Sequence, residues 1–369
     1  MKKILFYIPE SLYSGTGTQE WMERVLKALS PHFEITIIFG TIGDVFRWSK
    51  KDVQERFGLC KNLMEIRYWR PFDHFYIPTF SAWLTIWKQF RSHNFIYMRY
   101  SLRLIDPVVQ LLGILSGTKI VFGFHGYFNY PITKKLFFHT IGRLILRFAD
   151  ACHTINSTTG DFLKKMGARK IFFIPNFLLN ESLPKKNLAD YHGKLLFVGR
   201  NEHKKGLDLL SFAIKKIIKT YPQLQFVFFG SGKQKPIITR LQTRFPRNVN
   251  DRGYEHNKNK MYTGRKFLLL ASREEPFGLT VIEAMSYGVP AIATPTRGPI
   301  DIISHGKDGF LIKAITPEAM TEGILAALKI NKAGYEKISA AAYKKAREYY
   351  NQVQFVEKFQ QMINRLTSG

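Results

Sequence analysis

Two apolar periods alternate along this chain from end to end. Short runs rich in β-branched and aromatic residues predict strands at Lys3–Ile8, Glu34–Phe39, Phe95–Met98, Lys119–Phe124, Ala151–Ile155 and Ile171–Pro175, because such side chains fit a pleated, buried surface. Stretches with helical spacing, Thr18–Ala28 and Ile132–Phe148 among them, fall between these runs. After Asn176 the text turns polar, NESLPKKNLADYHGK, and a second series follows in KLLFVG, LQFVFFG, KFLLLAS and VPAIAT. Near-continuous apolar strands separated by helices read as parallel sheets with crossover helices. The expectation is an α/β chain with a first doubly wound domain over 1–180, a linker over 181–193 and a second such domain over 194–345. A ligand is expected in the cleft where the carboxyl ends of both sheets meet. The stretch from Pro317 to Leu366 is helical in period, with an aromatic break at REYYNQVQF.

Composition narrows the class. With 369 residues and 45% hydrophobic content, the chain can bury two cores of ordinary size. Its two cysteines, Cys60 and Cys152, are too few for a disulfide framework, which points to a reducing compartment and the cytoplasm. The opening MKKILFYIPE loses its apolar run at Pro9 and Glu10, so it reads as a buried first strand and not as a signal peptide. Asp106 and Gln110 interrupt the longest apolar candidate, Leu102 to Leu115, and no membrane span is expected. The formal charge of +27, from 55 Lys+Arg against 28 Asp+Glu, favours anionic partners such as nucleic acid, phosphosugars or an acidic membrane face. The basic residues are dispersed and no nucleic-acid recognition motif is evident, so nucleic acid is not the expected partner.

The densest chemistry lies in REEPFGLTVIEAM, Arg273 to Met285. A helix from Leu279 to Tyr287, stopped by Gly288 and Pro290, offers free N–H groups and partial positive charge at its start, which suits a diphosphate. Glu275 stands in the loop before that end, and Glu283 about 6 Å along the axis at roughly 1.5 Å per residue. Carboxylates flanking an anion site can accept hydrogen bonds from hydroxyls on either side of it, the layout of a nucleotide-sugar. Spacing alone equally fits a surface loop acid and an ordinary helix-face acid, so other segments weigh in. In LLFVGRNEHKKGLDLL a strand ends at Gly199-Arg200 and a helix follows Lys205-Gly206, which puts two cations near the same diphosphate. Gly230 and Gly232 in FVFFGSGK permit close backbone approach. Gly15 and Gly17 precede a helix, but Glu20 and Gly40 stand where a dinucleotide fingerprint needs a glycine and an acid, which removes the dehydrogenase reading. His125, beside Gly126 at a strand's carboxyl end, is a further candidate. Asp150 is expected to anchor a helix-to-strand connection.

Taken together, these segments resemble the retaining GT-B glycosyltransferases, the large family that includes sucrose-phosphate synthases and bacterial cell-surface mannosyl- and glucosyltransferases. The resemblance is carried by EEPFGLTVIEAMSYGVPAIAT, then RGPIDII and KDGFLI, with FVGRNEHKKGLDLL and FGSGK upstream, roughly residues 194–313. The N-terminal half matches in outline only, through the glycine loop, FHGYF, RFADACHTI and IFFIPNF. The resemblance implies two Rossmann-like domains, with the C-terminal helical segment 346–369 crossing back to the first. It implies that Glu275 contacts the donor sugar, Glu283 the ribose hydroxyls, and Arg200 with Lys205 the diphosphate. Gly199, Gly230, Gly232 and the stretch Pro276, Phe277, Gly278, Leu279 and Thr280 would complete the donor site. His125 would face the sugar, Gly15 and Gly17 would form the acceptor or phosphate loop, and Glu275, His125, Arg200 and Lys205 would form the catalytic set.

The implied reaction moves a hexose from a nucleotide-sugar, UDP-sugar first and GDP-mannose next, to a glycan or lipid-linked acceptor in polysaccharide or cell-envelope synthesis. It would proceed with retention and without metal or cofactor. Asn156-Ser157 and Asn176-Phe177 depart from the family's usual residues, which unsettles the acceptor side. The segment RYWRPFDHFYIPTFSAWLTIWKQFRSHNFIYMRY, residues 67–100, interleaves aromatics with arginines. It reads either as an insert packed in the core or as a surface for an anionic membrane, at the inner face of the plasma membrane. The competing functions are a basic nucleic-acid-binding protein and a non-catalytic nucleotide-sugar sensor on the same fold.

Overall fold

The computed structural model describes residues 1–14, 17–42, 48–72, 75–100, 105–126, 140, 142–184 and 186–367. The chain divides into two compact units, one of Met1–Pro175 with Phe355–Gly369 and one of Asn176–Gln354. The polar stretch 181–193 therefore belongs to the second unit.

The first unit is built on a parallel seven-stranded sheet. Its strands are β1 Lys3–Glu10, β2 Glu34–Ile42, β3 Asn62–Ile66, β6 Phe95–Arg99, β7 Lys119–Phe124, β8 Ala151–Thr154 and β9 Ile171–Phe173. An antiparallel hairpin, β4 Tyr68–Phe72 with β5 Phe75–Pro78, stands apart from it. The order β3-β2-β1-β6-β7-β8-β9 reverses between β1 and β6. Such a switch point leaves an opening beyond the carboxyl ends of the strands. Ile4 to Ile8 are buried on both faces of the sheet, which is why β1 reads as an unbroken apolar run.

β3 and the hairpin were not legible as strands, since NLMEI is short and the hairpin carries Arg and Pro. The segment 67–100 is part core and part surface. Helix Phe80–Ser92, capped by Thr79, buries Ala82, Ile86 and Phe90, and β6 lies in the middle of the sheet. Phe80 and Leu84 on the same helix, and Trp69 on β4, stay exposed. Of the helix expected over 132–148, the structure describes Arg143–Phe148 as helical; residues 132–139 and 141 lie outside the described residues.

The second unit repeats the plan with β10 Lys194–Val198, β11 Phe226–Phe229, β12 Val249–Asp251, β13 Arg265–Leu270, β14 Ala291–Ala293 and β15 Gly309–Leu311. The order β12-β11-β10-β13-β14-β15 is that of the doubly wound nucleotide-binding fold, with its switch point between β10 and β13. Helix Leu207–Thr220 packs Leu210, Ile214 and Ile217 into its core.

The first unit is closed by residues from the far end of the chain. In helix Gln352–Thr367, Phe355, Phe359, Ile363 and Leu366 are buried. The Phe359 ring lies 6.4 Å from Phe6, 6.1 Å from Tyr97 and 6.5 Å from Phe33. Lys2 Nζ donates to Asn364 Oδ1 at 3.0 Å and to Thr367 Oγ1 at 2.8 Å. Phe359→Ala is expected to cost the first unit about 3–5 kcal/mol through the cavity it leaves. Hydrogen exchange should record faster opening of β1 and β6 with β10 and β13 unchanged.

Candidate active site

Four loops after parallel strands of the second unit bond to one another. β10 runs into Gly199, whose N–H donates to Phe229 O at 3.0 Å. Asn201 N–H donates to Ser231 O at 2.8 Å, and Gln234 N–H to Asn201 O at 2.7 Å, so the loops carrying Gly199-Arg200 and Gly230–Gly232 lie side by side. After a single 3-10 turn, His203–Lys205, Gly206 takes φ 67°. A Cβ there would run into the Ala271 carbonyl oxygen, so only glycine lets the start of helix Leu207–Thr220 approach the loop after β13.

A bidentate fork then ties that loop down. Arg273 Nη1 and Nη2 donate to Asp208 Oδ1 and Oδ2 at 2.8 and 2.6 Å, and the Arg273 N–H donates to Lys204 O at 2.8 Å. The guanidinium holds the Asp208 carboxyl below the usual carboxylate range. With both loops fixed, Lys205 Nζ meets Glu275 Oε2 at 2.6 Å, the two side chains only 18% and 11% exposed. The Glu275 carbonyl accepts from Gly298 N–H at 3.0 Å, which brings in the loop after β14.

Gly278, at φ 101°, opens helix Leu279–Ser286. The first N–H groups of such a helix have no partner within it, so an anion is favoured there. Glu283 is buried on that helix, and its Oε2 accepts from Lys258 Nζ and from the Tyr262 hydroxyl, both at 2.9 Å. Arg200 is half exposed and paired with Glu202 at 3.0 Å. Asn201, Ser272 and Thr296, on the loops after β10, β13 and β14, each bury side-chain polar atoms without a hydrogen-bond partner among the described residues.

The structure thus brings together Gly199, Arg200, Lys205, Gly230, Gly232 and the stretch Glu275 to Thr280 on adjoining loops, with Glu283 one helical turn further on. In the first unit, Gly15 lies outside the described residues and Gly17 opens helix Gly17–Leu29. His125 follows β7, its Nε2 is 2.6 Å from the Tyr97 hydroxyl, and the Trp21 ring centroid is 4.1 Å from its own. Asp150 anchors its connection by accepting from Ile120 N–H at 2.9 Å and pairing with Lys119 at 3.3 Å. Sequence reasoning missed Lys258 and Tyr262 beneath Glu283, the Arg273–Asp208 fork, and Tyr97 with His153 behind His125. Only Arg273 carried a signal, as the first residue of REEPFG. Among the described residues no group of three His, Cys, Asp or Glu side chains could hold a metal ion, and no helix is long and apolar enough to cross a membrane.

These loops fall inside residues 180–347, which match the family model "Glycosyl transferases group 1". Residues 180–347 are a group 1 glycosyl transferase domain. Glycogen synthase of Pseudomonas fluorescens is 29% identical to this chain over 184 residues, 49% of this chain and 38% of the relative. The chain therefore spans well under half the length of that relative. Among solved structures, Anabaena HepE in complex with UDP and glucose superposes with a TM-score of 0.76 at 15% identity, over 99% of this chain and 100% of that one. Sucrose-phosphate synthase from Thermosynechococcus elongatus does so with a TM-score of 0.69 at 16% identity, over the whole of both. At such identity the likeness is one of fold, and the glycosyltransferase domain and its N-terminal companion have the GT-B fold.

Burial pushes His153 down to about 4 from an ordinary 6.5. The unfolded chain then binds the proton that the folded one refuses, so this contribution to stability is complete above pH 6.5 and is lost as pH falls toward 4. The melting temperature of the first unit should drop over that window, and His153→Asn should flatten the drop.

Proposed function

We propose that the protein transfers a hexose from a nucleotide-sugar to a hydroxyl acceptor with retention at the anomeric carbon. The observation that carries this reading is the Lys205–Glu275 contact at 2.6 Å, set at the switch point of the β10–β13 sheet beside the N-terminus of helix Leu279–Ser286. An ammonium and a helix N-terminus suit a diphosphate; a carboxylate beside them suits sugar hydroxyls. In this reading Lys205, Arg200 and the amides from Phe277 to Thr280 hold the diphosphate, Glu275 the sugar, and Glu283 the ribose. His125 of the first unit is assigned to the sugar as the resemblance implies. UDP is favoured as the carrier because the HepE structure holds UDP and glucose.

The bond from the anomeric carbon to the diphosphate oxygen breaks, and the acceptor oxygen bonds to the same face of that carbon. The acceptor's proton leaves with the departing diphosphate. Lys205, Arg200 and the helix N-terminus offset the charge that develops on the leaving group, so the reaction is proposed to need no metal. In a thermal-shift panel of UDP, GDP, dTDP and ADP, UDP at 100 times its dissociation constant should add about 2.7 kcal/mol. Glu275→Gln should stay folded and lose transfer from UDP-sugars. Indifference to all four nucleotides, or wild-type transfer by Glu275→Gln, would overturn the proposal.

The acceptor is proposed to be a glycan or a lipid-linked sugar, with the first unit resting on an anionic membrane. Trp69, Phe80 and Leu84, 62%, 79% and 55% exposed, support this on a chain of charge +27, since each cation near anionic lipid adds roughly 1 kcal/mol. Binding to vesicles rich in anionic lipid should weaken as salt rises and should fall in a Phe80→Ser, Leu84→Ser double variant. Absence of binding at low salt would favour a soluble acceptor.

A further inference from the structure

Behind His125 lies a row of hydrogen-bonded side chains that the proposed reaction leaves unexplained. His153 on β8 is fully buried, with its Nε2 2.8 Å from the Ile174 carbonyl oxygen. Its Nδ1 is 2.6 Å from the Tyr97 hydroxyl on β6, and that hydroxyl is also 2.6 Å from His125 Nε2. Gly123 on β7 makes the room, because a Cβ there would run into the Tyr97 hydroxyl.

The two ends of the row fix its direction. A carbonyl oxygen only accepts, so His153 carries a proton on Nε2. Burial holds His153 at about 4, so near pH 7 the ring is neutral and its Nδ1 is a bare acceptor. Tyr97 therefore donates to His153, its own pKa raised well above the ordinary value by burial. Having spent its one proton, the Tyr97 oxygen accepts, and its donor is the Nε2–H of His125. Burial, with repulsion from Arg99 added to it, pushes the His125 pKa well below the ordinary value, so this ring too is neutral near pH 7. Arg99 in turn is paired with Glu10 at 2.7 Å. The remaining nitrogen of His125, Nδ1, carries a lone pair and has no hydrogen bond among the described residues.

We propose that Tyr97 and His153 are positioning residues that lock His125 as its Nε2–H tautomer and so present Nδ1 as an acceptor for a hydroxyl of the bound sugar. The choice of partner rests on the assignment of His125 to the sugar, while the tautomer rests on the row alone. The opposite tautomer would turn a donor toward the same hydroxyl, so the row determines which way that hydrogen bond runs.

Long-range proton–nitrogen spectra of the full chain, labelled with 15N-histidine and recorded near pH 7, read the tautomer directly. Signals are assigned by their loss in His125→Asn and His153→Asn. Both rings are expected as Nε2–H; His125 found as Nδ1–H, or as an even mixture, in the wild-type protein overturns the inference. Tyr97→Phe removes only the linking hydroxyl. It should abolish the single tautomer of His125 and lower kcat roughly 10–100-fold, as loss of the orienting partner does for metal-bound imidazoles. An unchanged His125 tautomer in folded Tyr97→Phe overturns the positioning role. A shifted tautomer, with wild-type transfer by both Tyr97→Phe and His125→Ala, keeps the lock and overturns only the assignment of His125 to the sugar.

Discussion

The second unit's candidate site hangs on the contact between Lys205 Nζ and Glu275 Oε2 at 2.6 Å. It joins the loop after β10 to the loop after β13 across the point where the strand order reverses, and both side chains are largely out of water. Removing one partner from such a pair leaves the other charge uncompensated. In the proposed reaction, Glu275 keeps Lys205 in place until the diphosphate takes over as its partner. The surrounding contacts serve that geometry: the Arg273–Asp208 fork ties one loop to the start of helix Leu207–Thr220, and Gly206 lets the two backbones touch.

Glu283 is held by a different logic. Its Oε2 is fixed by Lys258 and Tyr262, so the carboxylate is oriented before any ligand arrives and loses little freedom on binding one. The two glutamates that look alike in sequence differ physically. One is paired with a cation that the proposed diphosphate would claim, and the other is anchored by partners from helix Lys258–Tyr262.

Much of this was legible in the sequence because parallel sheets are buried on both faces and their strands read as apolar runs. The strands at Lys119 and Ala151 and the loops around Gly199 and Gly278 could be placed from period and punctuation alone. β3 could not, since NLMEI carries a glutamate and lies at the sheet edge, where alternation is weak. Contacts between distant loops were beyond reach: nothing local says that Arg273 finds Asp208 or that Tyr97 stands between two histidines. His153 in particular looked like one more residue of RFADACHTI, and only the sheet register, with His153 opposite Gly123, brings it within a hydroxyl's reach of the row.

Calorimetric titration of UDP into wild type, Lys205→Ala and Glu275→Gln reads the proposed exchange of partners at Lys205. UDP carries the diphosphate but no sugar. Lys205→Ala is expected to weaken UDP by tenfold or more, about 1.4 kcal/mol, while Glu275→Gln, which frees the ammonium, binds UDP at least as tightly as wild type. Equal affinity in wild type and Lys205→Ala, or a loss in Glu275→Gln as large as that in Lys205→Ala, would contradict it.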